Sequence, residues 1–264
     1  MVILKAKFNL PCPVQTRCSV VQIPNFPECD HEIVQSLFHL SDQELVSLFK
    51  HHPGSGRYFT AIFCRYSSVV YTLIRHSARS PVQAEYLFAL TWRHILHELG
   101  GLDWPEYVQA EAASGGKRPS TLQSWIINVT ALCINQAVVP DVESIHYSLK
   151  EASPPFWCYV EQALDRLPPV ERLMVLMART FRWSETRIAA YLQAEGERIS
   201  PAQVRERLQT AYRNLEAALP QDIRAIYLGE WAEPELMPEL ADDSLDDLLE
   251  VPNLMVASSN RGQG

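Results

Sequence analysis

Glycine is scarce in this chain: 10 residues among 264, against 18 prolines. So few glycines argue against an enzyme built on a glycine-rich phosphate loop, and against a β-barrel punctuated by glycine turns. No stretch approaches the ~18 uninterrupted apolar residues that a membrane span needs. No Cys-x-x-Cys pair occurs, and Cys12, Cys18 and Cys29 are spaced too irregularly for a structural zinc site. An excess of positive charge is also missing. Lys and Arg total 23 against 31 Asp and Glu, a net charge of −8, so the chain does not coat nucleic acid by charge alone. The acid is concentrated at one end. From Glu230 onward nine residues are acidic and one, Arg261, is basic, which leaves a neutral body. Lys5 and Lys7 interrupt the apolar start, and Pro-Cys-Pro follows it, which does not fit a secretory signal. The expectation is a cytoplasmic chain whose six cysteines are free thiols.

What is present is helical pattern. Residues 1–29 hold Pro11, Pro13, Pro24 and Pro27, which exclude a long helix and predict an extended arm, with a short edge strand near 19–23. Helical spacing begins at Asp30 with Ile33, Val34, Leu37 and Phe38 on one face. Ser41 to Glu44 reads as a capping box. A long helix is predicted from Arg57 to His76, and another from Ser80-Pro81 to Leu99, stopped by Gly100-Gly101. A loop fills 102–119, and an apolar helix runs from Thr121 to Val138. The proline-bounded stretch 140–155 reads as a linker. Four helices are predicted beyond it: Phe156 to Arg166, Pro169 to Phe181, Ser184 to Gln193, and Ser200 to Leu219. The fold class is therefore all-α. The predicted layout is an arm (1–29), a helical domain (30–139), a linker (140–155), a second helical domain (156–228) and an acidic, disordered tail (229–264). In that tail Leu245, Leu248 and Leu249 stand among Asp242, Asp243, Asp246 and Asp247 and suit a transient acidic helix.

The second domain carries the chemistry. Glu185 to Leu192, a turn, and Ser200 to Leu215 have the form of a helix-turn-helix. Val204, Leu208, Ala211 and Leu215 share one helical face, which turns Gln203, Arg205, Glu206, Arg207, Gln209, Thr210 and Arg213 outward. Arg and Gln have the donor geometry for base edges and phosphates in a major groove. Ser200 caps the helix, whose first N–H groups suit a phosphate. The same pattern also fits a plain helical hairpin with a solvated charged face.

Longer stretches carry a family resemblance. Ala163-Leu-Asp-Arg-Leu-Pro-Pro-Val-Glu-Arg172, then Trp183-Ser-Glu-Thr-Arg-Ile-Ala-Ala190, then Ile199-Ser-Pro-Ala-Gln-Val-Arg-Glu-Arg-Leu208 resemble the promoter-binding C-terminal domain of bacterial sigma factors. The likeness is to the compact extracytoplasmic-function type. Ser41 to Val46, the helix from Arg57, Ala84-Glu85 leading to Thr91-Trp-Arg93, and Leu122-Gln-Ser-Trp125 follow that family's core-binding domain in order. The resemblance implies a protein that binds core RNA polymerase, opens the −10 promoter element and reads the −35 element. It implies no catalysis and no cofactor. Glu85, Leu87, Trp92 and Arg93 would face the polymerase. Ser200, Gln203, Arg205, Arg207, Gln209 and Arg213 would face promoter DNA. Lys117, Arg118, Trp125 and Asn128 would meet the opened strand. An anti-sigma protein is a further implied partner, and no membrane is.

The chain departs from that family at several positions. Tyr86, Leu87, Phe88, Ala89 and Leu90 stand where the family's polymerase-facing helix is acidic. The helix Thr121 to Val138 has no Lys or Arg to hold a strand, and Lys117 and Arg118 precede it. Trp104 and Tyr107 lie in a lengthened loop and suit base stacking or core capping. The turn between Leu192 and Ile199 is longer than usual, and Glu206 sits at the centre of the outward face. These departures favour an alternative expectation: a sigma-like interaction module or regulator that has lost promoter opening. His94 and His97 lack a third metal ligand, and no nucleophile sits on a strand-to-helix elbow, so neither a metal nor a catalytic site is predicted.

Overall fold

The computed structural model describes residues 22–102, 121–145 and 147–229. Among them there are ten α-helices and no strand, so the all-α expectation holds. The helices are α1 (Glu32–Gln35), α2 (Asp42–His51), α3 (Arg57–Ser77), α4 (Pro81–Gly101), α5 (Leu122–Gln136), α6 (Pro154–Asp165), α7 (Pro169–Arg179), α8 (Glu185–Ala194), α9 (Pro201–Ala218) and α10 (Gln221–Leu228). No helix among the described residues is long and apolar enough to cross a membrane.

Local chemistry accounts for where most of these helices start. Ser41, Ser80, Thr121, Ser184 and Ser200 each sit in extended backbone and accept a hydrogen bond from a first-turn N–H. Ser41–Glu44, Thr121–Ser124 and Ser200–Gln203 close full capping boxes. Two details differ from expectation. Helix α1 ends after one turn, burying Val34 while Phe38 stays 45% exposed. Helix α4 continues through Gly100 and Gly101 instead of stopping before them. The edge strand foreseen near 19–23 falls mostly outside the described residues, and residues 22 and 23 form none.

Helices α3 and α4 are the centre of the packing. Phe59, Phe63, Phe88 and Trp92 interlock there, with Phe63 and Trp92 edge to face at 4.9 Å. Helix α2 is clamped to α3 through Asp42, which accepts from Arg65 at 2.6 Å and from the Tyr66 hydroxyl at 2.5 Å. Helix α6 packs on α3 and α4 and also on α9 and α10. One buried apolar cluster therefore includes side chains from both sides of 140–155.

The contacts across this seam are specific. A Cβ on Gly56 would stand 2.2 Å from Ile223 Cγ1 and 2.8 Å from Tyr159 Cε2, so only glycine fits where α3 begins. Asp222, at the start of α10, accepts from Ser55 Oγ (2.5 Å), Gly56 N (3.0 Å) and Arg57 N (2.9 Å). Gly56 has no side chain to cap α3, and a carboxylate more than 160 positions away performs that task. The stretch read as a linker lies on α4: Leu149 N donates to Glu85, Gln83 donates to Pro140 O, and Tyr147 is buried.

The segment before α1 is fastened to the same place. Residues Pro27–Asp30 form a 3-10 turn behind Phe26, whose ring meets Phe63 at 4.8 Å. Glu28 is only 4% exposed and accepts from the Tyr227 hydroxyl, which itself accepts from Ser153 Oγ. The expectation of free thiols is overturned at Cys29 and Cys64, which form a disulfide with their Cα atoms 5.5 Å apart. The pair is brought together by folding across 35 positions, and spacing alone carries no sign of it. Cys133 and Cys158 are thiols, whereas Cys12 and Cys18 lie outside the described residues.

A peptide map made without reductant should recover the Cys29 and Cys64 peptides joined. Reduction should lower the free energy of urea unfolding by about 3–4 kcal/mol on the loop-entropy account. Recovery of the two peptides apart from each other would refute the bridge. Glu28 supplies a second test. Burial raises its pKa above the usual carboxylate value, although hydrogen bonds from Ser153 and Tyr227 oppose that shift. A carboxyl raised in the folded state stabilises below its unfolded pKa and loses that contribution as pH rises through the folded pKa. Glu28→Gln should therefore unfold at higher urea than wild type at neutral pH, and the two curves should converge below pH ~4.

Candidate nucleic-acid interface

Helices α8 and α9 bury the faces that their spacing predicts. Ile188, Ala189 and Leu192 of α8 and Val204, Leu208, Ala211 and Leu215 of α9 are all buried. Gln203, Arg205, Glu206, Arg207, Gln209, Thr210 and Arg213 are all exposed. Helix α9 packs on α6, α7 and α8, so its outward face stands on a fixed base.

The long turn between them has a clear construction. Glu197 N donates to Leu192 O and Gly196 N to Gln193 O, with Gly196 at φ 95°. This pair of bonds is a Schellman motif, and the left-handed position takes glycine without strain. The chain then returns through Ile199, which is 4% exposed and whose carbonyl accepts from Gln193 Nε2. The added length in this turn thus closes α8 and seals the bottom of the helix pair.

Several outward groups are already engaged. Arg205 bonds Glu185 of α8 at 3.3 Å, with its own side chain 68% exposed. Such an exposed pair contributes under about 1 kcal/mol and yields readily to a phosphate. Gln203 Oε1 accepts from Ser200 N in the capping box. Arg213 donates to Thr210 Oγ1. Behind the helix, Arg179 is buried, stacks over Tyr212 at 4.8 Å and donates to its hydroxyl. Tyr212 therefore supports the back of α9 and does not join the outward row.

The residues foreseen as polymerase-facing lie elsewhere. Leu87 is 4% exposed and Trp92 is fully buried, so both belong to the core and neither offers a surface. Leucine and tryptophan at those positions complete the ring cluster of α3 and α4, which outweighs any solvent-side role. Glu85 is bonded by Leu149 N. Arg93 pairs with Glu161 of α6 at 2.9 Å and lies over the Trp157 ring. Arg93 also borders a cleft of about 490 Å³ between α2, α4 and α6, shared with Lys50, His97, Glu161 and Asp165. Burial moves the Glu161 pKa up, while Arg93 pulls it down.

Of the strand-meeting candidates, Trp125 is 7% exposed and packs into the core, which removes it from any base contact. Asn128 is exposed on α5, as are Asn135 and Gln136. Lys117, Arg118, Trp104 and Tyr107 lie outside the described residues. Among the described residues no three His, Cys, Asp or Glu side chains converge on a common point. Sequence reading passed over Asp222, Glu28 and the aromatic row Phe181, Trp183 and Tyr191. The Phe-x-Trp spacing before α8 was a legible sign of that row; the partners of Asp222 and Glu28 were not legible.

No protein-family model, curated protein or solved structure matches the chain. The geometry of α8 and α9 therefore carries the functional argument together with the residues themselves.

Replacing Gly196 with alanine tests the turn. A Cβ there meets nothing within 4 Å, so the cost is that of the backbone alone, about 1 kcal/mol. Urea unfolding should show that loss with an unchanged slope. No loss would mean that the turn is not held in the left-handed form.

Proposed function

We propose that the chain is a sigma-factor-like transcription initiation protein of the cytoplasm, which binds core RNA polymerase and directs it to a subset of promoters. On this reading it comprises two helical units, 30–139 and 156–228. The second uses α8 and α9 as a helix-turn-helix. The observation that carries the reading is the outward face of α9. It is capped at Ser200, backed by a buried apolar stripe, and lined by Gln203, Arg205, Arg207, Gln209 and Arg213. Those side chains suit phosphate and base-edge contact in a major groove.

A second reading is favoured by a separate observation. The helix expected to meet polymerase has Leu87 and Trp92 in the core, Arg93 paired with Glu161, and Glu85 bonded to the segment that follows α5. Trp125 is buried, and α5 carries no basic residue. A sigma-like regulator that binds polymerase or another assembly without opening promoters would tolerate all of these.

Co-elution of the purified chain with core polymerase, followed by promoter-dependent transcription from the same fraction, separates the readings. Binding with transcription supports the first, and binding without it supports the second. No binding would remove both polymerase readings. For the first reading, Arg205→Ala with Arg207→Ala should weaken promoter binding. It should also flatten the dependence of log affinity on log salt by about 2 units. An unchanged slope would show that this face does not touch DNA.

A further inference from the structure

The surface just before and along α8 carries a linked aromatic row. Phe181 is 48% exposed and Tyr191 39%, and Trp183 stands between them with ring centroids 5.8 Å from each. The Arg187 guanidinium lies over the Trp183 ring at 4.2 Å. Arg182, between the first two rings, is exposed at φ 51°. The left-handed region disfavours any residue other than glycine, and here Arg182 occupies it to form the bend between Phe181 and Trp183. The other large exposed apolar side chains among the described residues form no such ring chain.

We propose that this patch is the docking site, in cis, for the acidic leucine segment of the same chain at 239–250. Charge is the first argument. That segment has six carboxylates, at Glu239, Asp242, Asp243, Asp246, Asp247 and Glu250, and no basic residue. The patch has the opposite balance: Arg182 and Arg187 are exposed on it, and its one acid, Glu185, bonds Arg205. The body as a whole is neutral, so the attraction is local to such a patch rather than general.

Shape is the second argument. Leu245, Leu248 and Leu249 stand at i, i+3 and i+4, a spacing that gathers them on one face of a bound helix with carboxylates at the flanks. Leucines against the Phe181–Trp183–Tyr191 row, with carboxylates at Arg182 and Arg187, match apolar to apolar and charge to charge.

Reach is the third argument. The described chain ends at Gly229, and Leu245 is sixteen positions on. An extended chain of that length spans about 50 Å, more than the roughly 45 Å width of a compact body of about 200 residues. Covalent linkage also gives an effective concentration on the order of millimolar, so a weak contact is enough.

Docking does not depend on the promoter reading, but its consequence does. Glu185, which bonds Arg205 of α9, lies between Trp183 and Arg187 in the chain, so the patch borders the outward face. A docked tail would bring carboxylates beside Arg205 and Arg207, where a phosphate would otherwise sit.

The test uses the full chain with a photoreactive benzoylphenylalanine in place of Leu248, irradiated at low and high salt. The expected result is an intramolecular cross-link, recovered from the monomer band, to the peptide that contains Phe181 to Tyr191. Its yield should fall at least about fivefold at high salt, as expected for exposed charges. It should fall by a similar factor in Arg187→Glu. The four-site change of Asp242, Asp243, Asp246 and Asp247 to Asn alters no described residue and should have the same effect. Cross-links only between chains would assign the patch to a second copy and overturn the proposal. Cross-links to another part of the chain, no cross-link at all, or a yield unmoved by the tail variant would also overturn it.

Discussion

A carboxylate caps a helix that cannot cap itself. The residue that caps α3 must be glycine, because Ile223 and Tyr159 occupy the volume that any Cβ at position 56 would need. A glycine has no side-chain oxygen to offer the helix's first N–H groups, and Asp222 supplies one from α10. The two conditions require each other. The close approach brings Asp222 within reach, and the hydrogen bonds hold α10 against α3. Since α3 also carries Phe59 and Phe63 into the ring cluster with Trp92, its starting point sets the register of the central packing.

The other polar groups at this seam act in the same direction. Glu28, Tyr227 and Ser153 form a small, partly buried chain of hydrogen bonds between the first turn, α10 and the start of α6. Apolar contacts tolerate sliding, whereas buried hydrogen bonds are satisfied in few arrangements. A single relative placement of α3, α6 and α10 satisfies Glu28 and Asp222 together. The outer side of α4 is covered as a result, with Glu85 and Arg93 each engaged by residues from beyond 140. A partner seeking that side must bind it more tightly than these internal contacts do, so recognition there is coupled to rearrangement of the seam.

What could be read from the sequence was local. Serine and threonine caps announce themselves within four residues, so the starts of α2, α4, α5, α8 and α9 were legible. The face of α9 was legible for the same reason: 3.6-residue periodicity separates Val204 and Leu208 from Arg205 and Gln209 without reference to any neighbour. Everything that depends on a distant partner was hidden. Asp222 is one more acid in an ordinary first turn until α3 is placed against it. Cys29 and Cys64 show nothing of their pairing. The family resemblance places Leu87 and Trp92 at the surface, and a helix buried on most sides has too little periodicity to contradict it. The leucine and tryptophan were in fact the better guides, since such side chains belong in a core unless something else demands their exposure.

Charge limits what α9 can do by itself. Its outward face offers Arg205, Arg207 and Arg213, and Glu206 stands among them. Three phosphate contacts give a salt slope of about −2.7, whereas a protein that holds duplex DNA independently makes roughly 6–10. The net charge of the body does not make up the shortfall, because the body as a whole is neutral. If this face reads DNA, its affinity must come mostly from whatever larger assembly holds the chain near the duplex, and α9 then contributes discrimination rather than tightness. Discrimination needs position more than charge. A helix fixed by Val204, Leu208, Ala211 and Leu215, and backed by the Arg179–Tyr212 stack, supplies position. On the promoter reading, the weak electrostatics and the firm packing together describe a reader that depends on a partner for its grip.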